Sequence, residues 1–267
     1  MGRSIELSIV PGMGLTVFSV KVQAGAGWIA NSSAHPIAIA ALVTLFFAIL
    51  ARKLRGVTRS GTAAGAAVCF LLYAGAGPGA FAALVSVFVL TWLATRVGYK
   101  KKQRIGVAEP LSGRNAAQVL ANLGVAAACA AIYLATRQIS LLAGVAAALS
   151  EAAGDTVSSE VGQARGDHAR LITTWKRVPP GTDGGVSLTG TLAGVAGATV
   201  VSLICVLTKF LPVKWLGISV LAAVIGIITD SFLGALLERR GFLNNEAVNF
   251  LSTLVAAGLA MFLAHVM

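Results

Sequence analysis

Charge is scarce in this chain: 12% of its 267 residues are Asp, Glu, Lys or Arg, about half the share of an ordinary soluble domain. Polar helix faces cannot be built from so few charges, which excludes a large water-soluble helical core. Cysteine is scarcer still. Cys69, Cys129 and Cys205 stand far apart inside apolar runs and without ligand spacing, so no disulfide framework or zinc site is expected. His35, His168 and His265 are equally scattered, and spacing alone assembles neither a zinc triad nor a Ser-His-Asp arrangement. Aromatic residues make up 7% of the chain and do not interleave with its basic runs, which argues against nucleic acid as a partner. The longest polar segment, about 156–186, is too short for a soluble domain.

Apolar runs are what the chain has in quantity. It is 57% hydrophobic, with a mean hydropathy of +0.83. Eight segments, at about 36–51, 61–77, 79–95, 115–134, 139–155, 187–208, 215–237 and 246–266, are close to the length that crosses a bilayer as a helix. The expected fold is therefore all-α: a polytopic integral membrane protein with about eight transmembrane helices. Residues 36–267 are expected to form a single transmembrane catalytic domain. Residues 1–35 carry Pro11 and several glycines, lack the basic-then-apolar pattern of a signal peptide, and are read as an N-terminal segment, with an interfacial or re-entrant piece as one option. With eight spans, 16 of the 21 basic residues fall on one side, including Arg52, Arg96, Lys100, Arg165 and Arg240. That side is cytoplasmic by the positive-inside rule, which leaves both termini outside.

Against this background the few carboxylates stand out. Of ten, three fall between 151 and 160: Glu151, Asp155 and Glu160. On a helix, Glu151, Asp155, Ser158, Ser159 and Gly162 share a broad face, at spacings of three and four. Carboxylates near the C-terminal end of a helix oppose its dipole, so a cation is expected beside them. Mg²⁺ fits, being a hard ion that takes one or two carboxylates and shares its remaining shell with phosphates. A carboxylate paired with a neighbouring Arg or Lys is the competing explanation.

The segment Lys176-Arg-Val-Pro-Pro-Gly-Thr-Asp-Gly-Gly-Val-Ser-Leu-Thr-Gly190 follows. Two basic residues precede a rigid Pro-Pro turn, a Gly-Gly pair and Ser187 at the start of an apolar run. Glycines admit an anion close to backbone N–H groups, and a helix N-terminus supplies free donors. Lys176 and Arg177 would add charge for a polyphosphate. Asp230 lies within the seventh run, where an unpaired carboxylate is costly. Arg114, Gln118 and Asn122 open the fourth run, and Asn245 and Asn249 the eighth, at the same expected face. Together they would line a polar pocket with hydrocarbon walls, suited to an amphiphile with a phosphate head.

Taken in order, Arg59-Ser-Gly61, Arg114 to Gln118 with Asn122, Asp155-Thr-Val-Ser-Ser-Glu160-Val-Gly, Pro180 to Gly190, Asp230-Ser-Phe-Leu-Gly234 and Asn245-Glu-Ala-Val-Asn249 resemble a membrane family, long of unknown function, that includes phytyl-phosphate kinases of plants and cyanobacteria. More distantly the arrangement is similar to phytol and dolichol kinases and CDP-diacylglycerol synthases. Asp183 stands where the family often has Asn, and Glu238 where Gln is common.

The resemblance implies phosphoryl transfer from a nucleoside triphosphate, CTP or another, to a prenyl monophosphate. Asp155 and Asp230 would bind Mg²⁺, with Glu151 or Glu160 assisting. Lys176, Arg177 and the loop of Thr182, Asp183, Gly184, Gly185 and Ser187, with Gly190, would hold the donor phosphates. Arg114, Gln118, Asn122, Asn245 and Asn249 would hold the acceptor. The expected partners are the lipid phosphate, the membrane and, as an option, further copies of the chain. The expected setting is a bacterial plasma membrane with the site on its cytoplasmic side. A prenol kinase, a cytidylyltransferase and a cation- or proton-coupled lipid transporter are the competing functions.

Overall fold

The computed structural model describes residues 35–165 and 169–267, which belong to one unit, Ser33–Met267. The N-terminal segment expected over 1–35 falls outside the described residues but for its last position, and so does His168. Eight long helices coincide with the eight apolar runs: α1 (His35–Lys53), α2 (Arg59–Ala76), α3 (Pro78–Arg96), α5 (Ala116–Thr136), α6 (Ser140–Arg165), α7 (Leu188–Leu207), α8 (Leu216–Leu236) and α9 (Asn245–Val266). A short helix, α4 (Tyr99–Arg104), follows α3. Among the described residues, five of these segments are long and apolar enough to cross a membrane: α3, α5, α7, the stretch Val213–Arg240 that contains α8, and α9.

Local sequence sets where the helices begin. Asn115 and Gln118 form a reciprocal capping box at α5, each side chain accepting the other's backbone N–H at 3.0 Å. Thr58, Ser187 and Asn244 cap α2, α7 and α9 by accepting from Gly61 N, Gly190 N and Ala247 N at 3.2, 3.1 and 2.9 Å. These side chains satisfy orphan donors of the first turn that lipid and a helical core would leave unpaired.

Helix α6 is the hub, packing on α3, α5, α7, α8 and α9. It can do so because its face is written in small residues: Ala143, Ala146, Ala147, Ala148, Ala152 and Ala153 are all buried, and small residues let helix backbones approach closely. Its apolar run was expected to end at 155, at the carboxylates. The helix instead continues to Arg165, because Gly154, Thr156, Val157 and Glu160 keep packing on neighbouring helices and remain buried. Asp155 therefore lies inside a continuous helix, with ten more residues after it, about 2.8 turns.

One departure from an all-helical fold was not expected. Strands β1 (Arg170–Leu171) and β2 (Gly185–Val186) pair antiparallel, Arg170 opposite Val186 and Leu171 opposite Gly185. This short ladder ties off the loop between α6 and α7. It delivers residues 180–187 to the end of the bundle where α5, α7 and α9 begin.

Candidate functional site

That end of the bundle holds a polar cavity of about 210 Å³. The first turns of three helices reach it: Gln118 from α5, Ser187 and Gly190 from α7, and Asn245 and Asn249 from α9. Such termini carry free N–H groups and partial positive charge. Asp155 and Glu160 enter from α6, Asp230 from α8, and Thr182, Asp183, Gly184 and Gly185 from the loop. Residues from five separate blocks of sequence thus share one wall.

The loop reaches α8 because two glycines leave room. Gly184 has φ +73°, and a Cβ there would run into the backbone of Ala235; Gly234 lies opposite, its own Cβ position 2.9 Å from Gly184 N. Gly184→Ala therefore combines a left-handed backbone with a backbone collision. The expected result is displacement of the 182–187 loop and a lowered thermal unfolding temperature in detergent, while Gly217→Ala, whose Cβ meets nothing within 4 Å, unfolds as wild type does.

Arg114 is held firmly. Its backbone bridges to Val57, with Thr58 N donating to Arg114 O at 2.9 Å and Arg114 N donating to Gly56 O at 3.0 Å. This approach requires Gly61, since a Cβ there would strike Arg114 O. The guanidinium donates to Thr156 Oγ1 at 3.2 Å and attracts the Asp155 carboxylate.

The electrostatics are lopsided. Glu151, Asp155 and Asp230 repel one another, and Glu238 and Asp183 add to the repulsion at Asp230. Glu151 Oε1 and Asp230 Oδ2 are buried without a hydrogen-bond partner. Leaving carboxylate oxygens bare in a helical bundle is expensive, so this cluster fits a cation. Among the described residues no three His, Cys, Asp or Glu side chains converge as a closed metal cage. One or two of these carboxylates could hold a hard divalent ion, with water or phosphate oxygens completing its shell.

Three sequence expectations need correction in their geometry. Glu160 does not stand free for a metal: it forms a buried ion pair with Lys102 of α4, the alternative weighed for these carboxylates. Lys176 and Arg177 do not line the cavity and are exposed. The turn that places them is closed by Trp175 N and Leu171 N, which donate to Leu171 O and Lys176 O at 2.8 and 2.9 Å, and it holds both side chains on the outer side of the loop. Glu151 is 1% exposed and sits behind the cavity wall, facing Ser252.

Sequence reasoning passed over Glu109, which lines the cavity and accepts from Gln118 Nε2 at 3.5 Å. It also passed over Lys102. Its setting in Lys100-Lys-Lys102 reads as a solvated basic run.

A second cavity, of about 110 Å³, lies among α1, α2, α3 and α5. Its walls are apolar, with Phe47, Leu84, Val87 and Phe88 among them, and it shares Glu109, Arg114, Gln118 and Asn122 with the polar cavity. An acidic, anion-receptive chamber thus abuts a hydrocarbon one across a common wall.

Apolar helices around such a site define an integral membrane protein. The chain belongs to the family of integral membrane proteins called DUF92, whose model matches residues 42–257. It is 35% identical over 217 residues to an uncharacterized membrane protein of Methanocaldococcus jannaschii, covering 81% of this chain and 90% of that one. An uncharacterized membrane protein of Synechocystis is 33% identical over 196 residues, 72% of this chain and 76% of its own. The chloroplastic protein VTE6 of Arabidopsis thaliana is 34% identical over 208 residues, 74% and 62% of the respective chains. No solved structure matches.

Proposed function

We propose that the protein is a Mg²⁺-dependent kinase of prenyl monophosphates, of the phytyl or geranylgeranyl type, that makes the corresponding diphosphates from a nucleoside triphosphate. The observation that carries this reading is the common wall: Arg114, Gln118 and Asn122 border both the acidic cavity and the apolar one. A lipid phosphate bound there has its head in reach of the polar residues and its tail in hydrocarbon. The family resemblance supports the same choice of acceptor and reaction.

In this account the backbone of Gly184 and Gly185 and the first turn of α7, with Ser187 and Gly190, receive the donor polyphosphate. Arg114 neutralises acceptor and transferred phosphoryl charge, held by Thr156 and by its backbone bridge to Val57. Asn245 and Asn249 donate to phosphate oxygens from the α9 terminus. Asp155 and Asp230 would hold Mg²⁺, which supplies charge neutralisation and alignment of the phosphates. An acceptor phosphate oxygen attacks the γ-phosphorus, the bond from that phosphorus to the β–γ bridging oxygen breaks, and the nucleoside diphosphate leaves. The acceptor is already ionised, so the chain needs to provide no strong base.

All eight long helices cross the bilayer in this proposal, with both termini outside and the site at the cytoplasmic face of a bacterial plasma membrane. Arg52, Arg96 and Lys100, exposed at the same end of the bundle, would meet anionic headgroups there.

The test is release of nucleoside diphosphate by purified protein given each triphosphate, Mg²⁺ and geranylgeranyl monophosphate. Release that depends on both lipid and metal is expected. Release of pyrophosphate points instead to a cytidylyltransferase, and activity confined to the free alcohol to a prenol kinase. Lipid movement without turnover points to a transporter.

A further inference from the structure

The apolar cavity has a direction. Arg55, Arg96 and Arg114 stand toward one end of its lining, and Leu84 and Phe47 toward the other. From Arg96 to Leu84, α3 alone spans about 18 Å. Phe47 packs edge-on against both Phe81 and Phe88, with ring centroids 5.5 and 5.4 Å apart, which makes the apolar end rigid.

A chamber of about 110 Å³ is smaller than the ~150 Å³ engineered cavity that accepts one benzene ring. That volume fits a short stretch of one hydrocarbon chain.

We propose that this cavity is the tail-binding site for a single-chain isoprenoid phosphate, with its head at Arg114 and its proximal isoprene units between α2 and α3, and that Gly65 sets the width of the channel. This rests on the kinase reading for the identity of the head and deepens it by assigning the tail. Charge complementarity favours such an occupant, because the arginines gather at the end that borders the acidic chamber. Gly65 lines the cavity, and a Cβ built on it meets no heavy atom within 4 Å.

The same fact supplies a clean variant. Gly65→Leu adds a side chain to the cavity lining at a position whose Cβ meets no heavy atom within 4 Å, and replaces a poor helix former by a good one, so a folded protein is expected. Gly258→Leu on α9 serves as the control, since its Cβ also meets nothing within 4 Å and it lines neither cavity.

The experiment uses the full chain in lipid nanodiscs and geranylgeranyl monophosphate bearing a diazirine on its first isoprene unit. After irradiation, crosslinks are expected within 61–65, 88–95 and 119–123, displaced by unlabelled geranylgeranyl monophosphate but not by dioleoyl phosphatidate. Gly65→Leu should lower this labelling at least tenfold and Gly258→Leu should not. Labels on the outward residues Leu42, Leu45 and Phe46, which are 67%, 59% and 70% exposed, would overturn the proposal. So would equal displacement by phosphatidate, or wild-type labelling of Gly65→Leu.

Labelling requires no turnover, so the two readings fail separately. The expected crosslinks without phosphoryl transfer would sink the kinase reading alone, and transfer with crosslinks elsewhere would sink the tail site alone.

Discussion

Asp155→Asn and Asp230→Asn are each expected to reduce phosphoryl transfer by about a thousandfold or more, with no loss of folded protein. A metal-centred charge stabilisation of several kcal/mol corresponds to that factor, at about 1.4 kcal/mol per tenfold. The usual objection to such variants, that they unfold the protein, runs the wrong way here. Glu151, Asp155 and Asp230 repel one another, and Asp230 Oδ2 is buried without a partner. Removing one negative charge relieves that repulsion, so thermal unfolding in detergent should occur at the wild-type temperature or above it. Adding Mg²⁺ with a triphosphate should raise the unfolding temperature of the wild type and leave that of Asp230→Asn unmoved. An Asp230→Asn protein that turns over normally, or one that is folded only in the presence of metal, would contradict the assignment.

The second large effect lies away from the reacting groups. Lys102→Met is expected to destabilise the fold by about 3–5 kcal/mol, the cost of leaving one member of a buried ion pair without the other. Lys102 is fully buried and its partner Glu160 nearly so, with side chains 0% and 5% exposed. Lys102 Nζ also donates to Thr95 O at 2.9 Å and Ala94 O at 3.4 Å, carbonyls of the last turn of α3, where intrahelical donors run out. One ammonium thus fastens the α3–α4 elbow to α6, at the rim of the polar cavity. The double variant Lys102→Met/Glu160→Gln, which removes both charges, should recover more than half of the loss. Equal stability of wild type and Lys102→Met, or no recovery in the double variant, would show that the pair contributes nothing. Denaturation by SDS, followed by circular dichroism, measures all three.

Helix positions were legible in the sequence because apolar runs of membrane length leave few alternatives, and each of the eight runs is a helix. One limit of that signal shows in α6. Its hydropathy falls where Glu151 begins the acidic stretch, so a reading by apolarity stops at 155, whereas packing of small residues carries the helix to Arg165. A hub helix faces protein more than lipid, and here apolarity marks the start, 139 against Ser140, but not the end.

The site divides in the same way. Asp155, Asp230, Arg114, Asn245 and the 182–187 loop were named from residue type and expected side of the membrane, and they line one cavity. Glu160 shared their type but is taken up by an ion pair, and its partner Lys102 is 58 positions away in what reads as a solvated basic run. Lys176 and Arg177 lay in the right segment, yet a tight turn closed by Trp175 and Leu171 sends them outward. The apolar cavity was the least legible feature. It arises where α1, α2, α3 and α5 fail to close on one another, and no single stretch of sequence records that gap.

The most direct test of the central claim is ³¹P NMR of the lipid product formed from geranylgeranyl monophosphate and a triphosphate labelled with ¹⁷O at its γ-phosphoryl group. The account predicts a prenyl diphosphate whose terminal phosphorus alone carries the donor's label, with nucleoside diphosphate as the coproduct. A nucleotidyl lipid with pyrophosphate as coproduct, or label retained entirely in inorganic phosphate, would contradict it.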